Sequence, residues 1–317
     1  MESVDMNVTG SAAEGLAPSA GNPKKRVSKT ERREHLVAFL FILPPIAGFL
    51  IFTALSVIFT VVYSFQDYNS LSNVSTFAGF ENYIELFTSP TRWPLFRKAV
   101  VNTIVMLLSV PFGMILGLAL AGLLRLGEIR GSKFFQVLYY IPSVSSAVAL
   151  NIVWNYIFRS NGLFNTIFGL DVVWLDGSAT LKAAIIFKNS LNSMGSAMIL
   201  YLAGMLNVSP ELYEASSLDG AGKLRQFFSI TLPLISPVTF YLLITGLIGG
   251  LQSYADSQVF AGGNSGATTV VYFIWQQGIQ GNNNQGLASA ASVLLAVFIM
   301  LITLVQFKFS NKWVYEE

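Results

Sequence analysis

Two groups of polar residues stand inside otherwise apolar sequence: Lys188, Asn189, Asn192 and Ser193, then Gln252, Ser253 and Tyr254. Amides and hydroxyls both donate and accept, and tyrosine adds an aromatic face. Such side chains suit reversible hydrogen bonding to a small polar solute rather than bond-making chemistry. The competing role is adhesion between helices, at roughly 1 kcal/mol per polar contact. Lys188 carries a charge deep in an apolar run, where facing lipid would cost at least ~2.5 kcal/mol, so it must snorkel outward or face protein and water. Asp256 reads as a solvated cap at the outer end of its segment.

Catalysis finds little support. The chain has no cysteine, which excludes disulfides, thiolate nucleophiles and thiolate metal sites. Paired carboxylates for hydrolysis are absent from the apolar runs, and Asp171 and Asp176 belong to a short polar turn. His35 sits among charges ahead of the first apolar run and reads as a surface residue. The glycine-rich stretch 262–266 lacks the lysine of a phosphate-cradling loop, so this chain supplies no ATPase site of that kind. A non-enzyme that binds no metal or cofactor is expected.

The elements that would carry these residues are membrane helices. Of 317 residues, 53% are apolar and 11% charged, against roughly 25% charged in soluble domains. Charge-free stretches cover 36–66, 99–124, 134–158, 189–210, 234–255 and 257–307. About 20 apolar residues cross roughly 30 Å of hydrocarbon. The reading is an all-α membrane protein with six spans near 37–63, 99–124, 134–158, 181–206, 234–254 and 287–307. A seventh span built on 270–278 is the alternative, but that stretch better suits a short interfacial or re-entrant element. Continuous apolar runs argue against a β-barrel.

Charge sets the orientation. With the N-terminus inside, thirteen of the nineteen Lys and Arg residues fall on inner segments, at 24–33, 125–133, 223–225 and 308–312. That asymmetry places both termini in the cytoplasm. Residues 1–35 read as a disordered tail ending in a basic juxtamembrane segment, 36–310 as the transmembrane domain, and 311–317 as a short inner tail. The first apolar run is too long, and starts too late, for a cleaved signal. Pro44-Pro45 should kink span one or mark a change of angle, and Gly113 and Gly117 offer a close-packing face on span two. Tyr139, Tyr140, Trp154 and Tyr156 mark the two ends of span three as an aromatic belt.

One inner loop, 209–233, concentrates five charges: Glu211, Glu214, Asp219, Lys223 and Arg225. Ser209 can cap a helix that has Pro210 at its first position and Glu211 in its first turn. That helix should end near Leu218, because Asp219-Gly220 permits left-handed geometry. A second short helix starts near Lys223 and carries Phe227, Phe228 and Ile230 before Pro233. Nine helical residues are marginal in water, so this knob needs support from neighbouring spans and from a soluble partner. An amphipathic hairpin lying on lipid headgroups is the alternative.

The same loop carries a resemblance. Glu214-Ala215-Ser216, then Asp219-Gly220-Ala221, then Ile230, Leu232 and Pro233, resembles the EAA motif of membrane-spanning subunits of bacterial ATP-binding-cassette importers. Ser216 stands where the commonest form has alanine. Leu43-Pro44, Ser64-Phe65 through Tyr68-Asn69, Asn102-Thr103 and Gly262-Gly263 are similar to the binding-protein-dependent sugar permeases of the MalF type, and the likeness covers most of 36–310. Asn264 replaces the proline of that family's Gly-Gly-Pro element, and Ser193 stands where the family often has tryptophan.

This resemblance implies a MalF-like importer permease in the bacterial cell membrane, with an EAA loop that seats in a cleft of a cytoplasmic ATPase subunit. Glu211, Glu214, Ala215, Ser216, Asp219, Gly220 and Ala221 would form that contact. Expected partners are a second homologous permease, two ATPases that bind ATP and Mg2+, and an extracytoplasmic solute-binding protein, for which Asp256 is a possible contact. The implied cargo is a carbohydrate, met by Lys188, Asn189, Asn192, Ser193, Gln252, Ser253 and Tyr254. A phosphorylated solute such as glycerol phosphate would need a cationic pocket, for which Lys188 is the candidate. A secondary transporter or membrane enzyme would normally show carboxylates or histidines within the spans, and none is evident.

Overall fold

The structure is a computed structural model that describes residues 29–69, 71–72, 74–126, 131–260, 266–281 and 283–315. The tail 1–28, the Gly262-Gly263-Asn264 turn, Arg130 and the side chains of Arg32, Arg33 and His35 lie outside that description. Among the described residues, three helices are long and apolar enough to cross a membrane: Val37–Ser64, Arg92–Arg125 and Gln285–Ser310. Three bent helix pairs bring the possible crossings to six. The chain divides by compactness into 1–56 and 57–317.

In the leading unit, helix Lys29–Gly48 contains Pro44 and Pro45 and passes into π-helical spacing over Phe49–Ala54. Val37–Ser64 nevertheless continues as one helix and is not among the sharply bent pairs. Its side chains are largely exposed, Phe41 at 79%, as a lipid-facing surface requires.

The larger unit opens with a correction to the all-α reading. Gln66–Asn69 and Val74–Phe77 pair as a short antiparallel hairpin. Alternation is too brief there to register as a strand signal, and pairing is held by tertiary contacts. Asn82 Nδ2 donates to the main-chain oxygens of Ser64 and Gln66, at 3.0 and 2.8 Å, and Tyr63 stacks on Tyr68 at 4.9 Å.

Helices Arg92–Met106 and Ser109–Leu126 make the second crossing, interrupted at Leu107–Leu108. Pro111 supplies the reason. It lacks an N–H, and its ring crowds the carbonyl of Leu107 one turn earlier. The following turn packs on the 29-residue helix Ser178–Leu206. A Cβ on Gly117 would lie 2.6 Å from that of Ala197 and 2.8 Å from the Met194 carbonyl, so the two backbones meet only because glycine is there.

Span three is not one straight rod. Ser132–Val144 and Ala147–Ile157 meet at 101°, with Ser145 extended at ψ 156°. The expected aromatic belt therefore does not stand at the two ends of one axis. Trp154 instead donates from Nε1 to Asn192 Oδ1 at 3.3 Å, and Ser143 Oγ donates to the Asn192 carbonyl at 2.9 Å. Hydrogen bonds to the long helix compensate the broken ladder.

Span five is bent as well, Lys223–Leu234 meeting Ser236–Leu251 at 62°. Beyond it lie the short helices Ala255–Phe260 and Val270–Trp275. The latter is too short to cross, and it is packed into protein rather than onto a lipid surface, Phe273 being 1% exposed. It joins Leu86, Phe96 and Leu287 in one core, while Tyr201, Met205, Val208 and Ile235 form another, against which Tyr213, Phe227 and Ile230 pack.

Candidate functional site: a polar cavity and a helical knob

A cavity of about 570 Å3 is lined by residues of the long helix, both halves of span three, Ser109 and the second half of span five. It brings together Lys188, Asn189, Asn192, Ser193, Ser253 and Tyr254. Gln252 is separated from them. It borders a different cavity with Val271, Ile274 and Leu295, because Ser236–Leu251 ends there and the chain turns before the next helix.

Burial decides one expectation and overturns another. Lys188, 1% exposed, faces protein rather than snorkelling, and Asp256, 7% exposed, is no solvated cap. The two form an ion pair in the wall of the cavity. Asn151 binds both partners: its Oδ1 accepts from Lys188 Nζ at 2.5 Å, and its Nδ2 donates to Asp256 Oδ1 at 3.0 Å. Asn189 Nδ2 donates to Asp256 Oδ2 at 2.6 Å, with Ser253 Oγ at 3.5 Å. The Phe260 ring centroid lies 5.5 Å from the ammonium. A lone buried charge would be costly, whereas a hydrogen-bonded pair is tolerated.

The remaining lining is uncharged. Asn192 is held by Trp154 and Ser143. Ser193 is exposed, and its Oγ donates to the Ser190 carbonyl at 3.3 Å. Tyr254 sits in an aromatic cluster, 5.7 Å from Trp275 and 6.0 Å from Tyr272. Asn151 and the true place of Asp256 escaped the sequence reading. A signal existed: Asp256 is the only acidic residue between Asp219 and Glu316, so it is the natural counter-ion for a lysine buried nearby.

The loop 209–233 has the form its local signals predict. Helix Pro210–Leu218 is capped by Ser209, whose side chain accepts from the Glu211 N–H at 3.3 Å. Gly220 has φ +75°, the left-handed geometry that closes the helix. Lys223–Gln226 continues as π-helix over Phe227–Thr231. Glu211, Glu214, Ala215, Asp219 and Gly220 are exposed, while Ser216 and Ala221 are half-buried. Ser216 Oγ faces inward, 2.9 Å from Gln226 Nε2. Leu212, Leu218, Leu224 and Phe228 are exposed at 45%, 91%, 72% and 62%, large apolar side chains that this loop leaves uncovered.

Among the described residues, no group of three or more His, Cys, Asp or Glu could hold a metal ion.

Comparison with known proteins follows the same lines. A probable ABC transporter permease, YesP of Bacillus subtilis, is 29% identical over 94% of this chain and 97% of its own. The arabinooligosaccharides transport system permease AraP of Bacillus subtilis is 30% identical, over 87% of this chain and 88% of its own. A bacterial ABC transporter that imports the acidic polysaccharide alginate contains a chain of the same fold. It has a TM-score of 0.75 and 25% identity, over 90% of this chain and 98% of that one. Residues 96–315 match the model of the binding-protein-dependent transport system inner membrane component. The chain belongs to that family of multi-pass membrane proteins.

Proposed function

We propose that this chain is the membrane-spanning permease subunit of an ATP-driven bacterial carbohydrate importer of the MalF type. In this reading it has six spans with both termini cytoplasmic, and residues 36–310 form the permease domain between the tails 1–35 and 311–317. It lines the translocation pathway together with a second, homologous permease. Two cytoplasmic ATPases bind ATP and Mg2+, and an extracytoplasmic solute-binding protein delivers the cargo.

The observation that carries this reading is the cavity itself. It gathers Asn189, Asn192, Ser193, Ser253 and Tyr254 with Thr245 and Ser109, a set of amides, hydroxyls and one aromatic ring suited to a polyhydroxylated solute. The arabinooligosaccharide and alginate cargoes named for the relatives support the same class. A phosphorylated cargo fits less well, because Lys188 is committed to Asp256.

The knob 209–233 is the coupling element in this account. Glu211, Glu214 and Asp219 present carboxylates, Ala215 is small enough for close approach, and the exposed leucines give a partner cleft something apolar to cover. Ser216, Gly220 and Ala221 shape the turn.

The test is reconstitution of the full complex in proteoliposomes with its binding protein, screening arabinooligosaccharides first. ATP-dependent uptake that vanishes without the ATPases supports the reading. Solute uptake by this chain alone would overturn it.

A further inference from the structure

The pair in the cavity wall has a consequence for what the cavity can hold. We propose that Asp256 determines the charge specificity of this site: it cancels Lys188 and orients Asn189, so that the cavity offers neutral hydrogen-bonding groups and rejects charged sugars. The inference deepens the carbohydrate reading and rests on it only for the identity of the cargo.

Four donors converge on the Asp256 carboxylate, from Lys188, Asn151, Asn189 and Ser253. A carboxylate has about four lone-pair sites, so it is saturated and has no acceptor left for a solute. Lys188 Nζ is held between Asp256 and Asn151, with the Phe260 ring beside it, so two of its three donors are already committed within the wall. Neither charged side chain is exposed beyond 9% although both residues border the cavity. The pair contributes no net charge.

The pair also does something positive. An ionised carboxylate can only accept, so the end of Asn189 that meets Asp256 must be its NH2 group. That fixes the amide orientation, and Oδ1 becomes the end not bound to Asp256. Asn189 borders the cavity, so a carbonyl acceptor is available there for a solute hydroxyl. The elements joined are separate in sequence: Asn151 on Ala147–Ile157, Lys188 and Asn189 on Ser178–Leu206, and Asp256 on Ala255–Phe260. Removing one partner therefore leaves a charge of known sign at the edge of the cavity. Removing both leaves none.

The experiment uses the assembled complex in nanodiscs and equilibrium dialysis with radiolabelled glucose, glucuronate and glucosamine, which have one ring and three charge states. Asp256→Asn is expected to raise glucuronate binding relative to glucose by about tenfold or more, the ratio that one charge-assisted contact supplies. Lys188→Gln is expected to favour glucosamine in the same way. The double variant Lys188→Gln/Asp256→Asn, with no charge stranded, should assemble and keep the wild-type ratios.

Unchanged ratios in a single variant that assembles would overturn the proposal. So would failure of the double variant to assemble, since the pair would then be a folding element. Should neither single variant assemble, altered ratios in the double variant overturn it, and wild-type ratios uphold it. If the wild-type complex imports no carbohydrate while the single variants still gain their charged sugars, the cargo reading fails and the charge-setting role stands.

Discussion

Gln226 ties the two arms of the helical knob 209–233 through Tyr213: its buried Nε2 donates to the Tyr213 main-chain oxygen at 3.1 Å. The same nitrogen lies 2.9 Å from the hydroxyls of Ser216 and Ser217. Tyr213 in turn reaches the second arm, its hydroxyl 2.8 Å from Thr231 Oγ1. The knob is thus a cross-braced unit, with Glu211, Glu214 and Asp219 exposed on it.

Breaking that brace should loosen coupling before it affects assembly. Gln226→Leu removes a buried amide and leaves the acceptors around it short of a donor, a change worth about 1–3 kcal/mol. Uptake by the reconstituted complex is expected to fall several-fold while the subunit ratio stays normal. Full uptake at normal assembly would contradict the brace.

Gly220 presents a purely conformational case. Nothing lies within 4 Å of where its Cβ would stand, and its φ is +75°. Any cost of substitution therefore comes from left-handed backbone strain, about 1–2 kcal/mol and greatest for a β-branched residue. Gly220→Val should reduce ATP-dependent uptake strongly and Gly220→Asn little. Equal effects of the two variants would point to a lost contact instead.

Glu214 is exposed at the tip of the knob. Reversing its charge by Glu214→Lys is expected to weaken association with the ATPase subunits. The measure is the ATPase-to-permease ratio after co-purification, repeated at low and high salt. A ratio equal to wild type at low salt would remove Glu214 from the interface.

Gly117 tests the packing that supports the cavity wall. Gly117→Leu must displace the Met194 carbonyl and Ala197, so the helices Ser109–Leu126 and Ser178–Leu206 would separate. The expected result is loss of the chain from the membrane fraction or a marked fall in the melting temperature of the detergent-solubilised complex. An unaltered melting curve would show that the two helices do not meet there.

Much of this protein was legible from local signals. Apolar runs of about the hydrocarbon thickness located membrane helices, and Ser209, Pro210 and Gly220 delimited Pro210–Leu218 because caps and left-handed turns are decided by a few adjacent residues. Asn189, Asn192, Ser193, Ser253 and Tyr254 drew notice because polar side chains are conspicuous against lipid-soluble sequence. The hairpin at 66–77 and the right-angle break after Val144 escaped, since each is held by hydrogen bonds to distant segments.

Amino-acid order alone determined where the chain is apolar, where the helical knob begins and ends, and which polar residues stand within apolar sequence. Only tertiary structure decided that Gln252 faces away from the others and that Lys188 meets Asp256, 68 positions later. The physical reason is range. Caps, turns and apolar runs act within a turn or two of helix, whereas a buried charge takes whichever opposite charge the folded chain brings beside it.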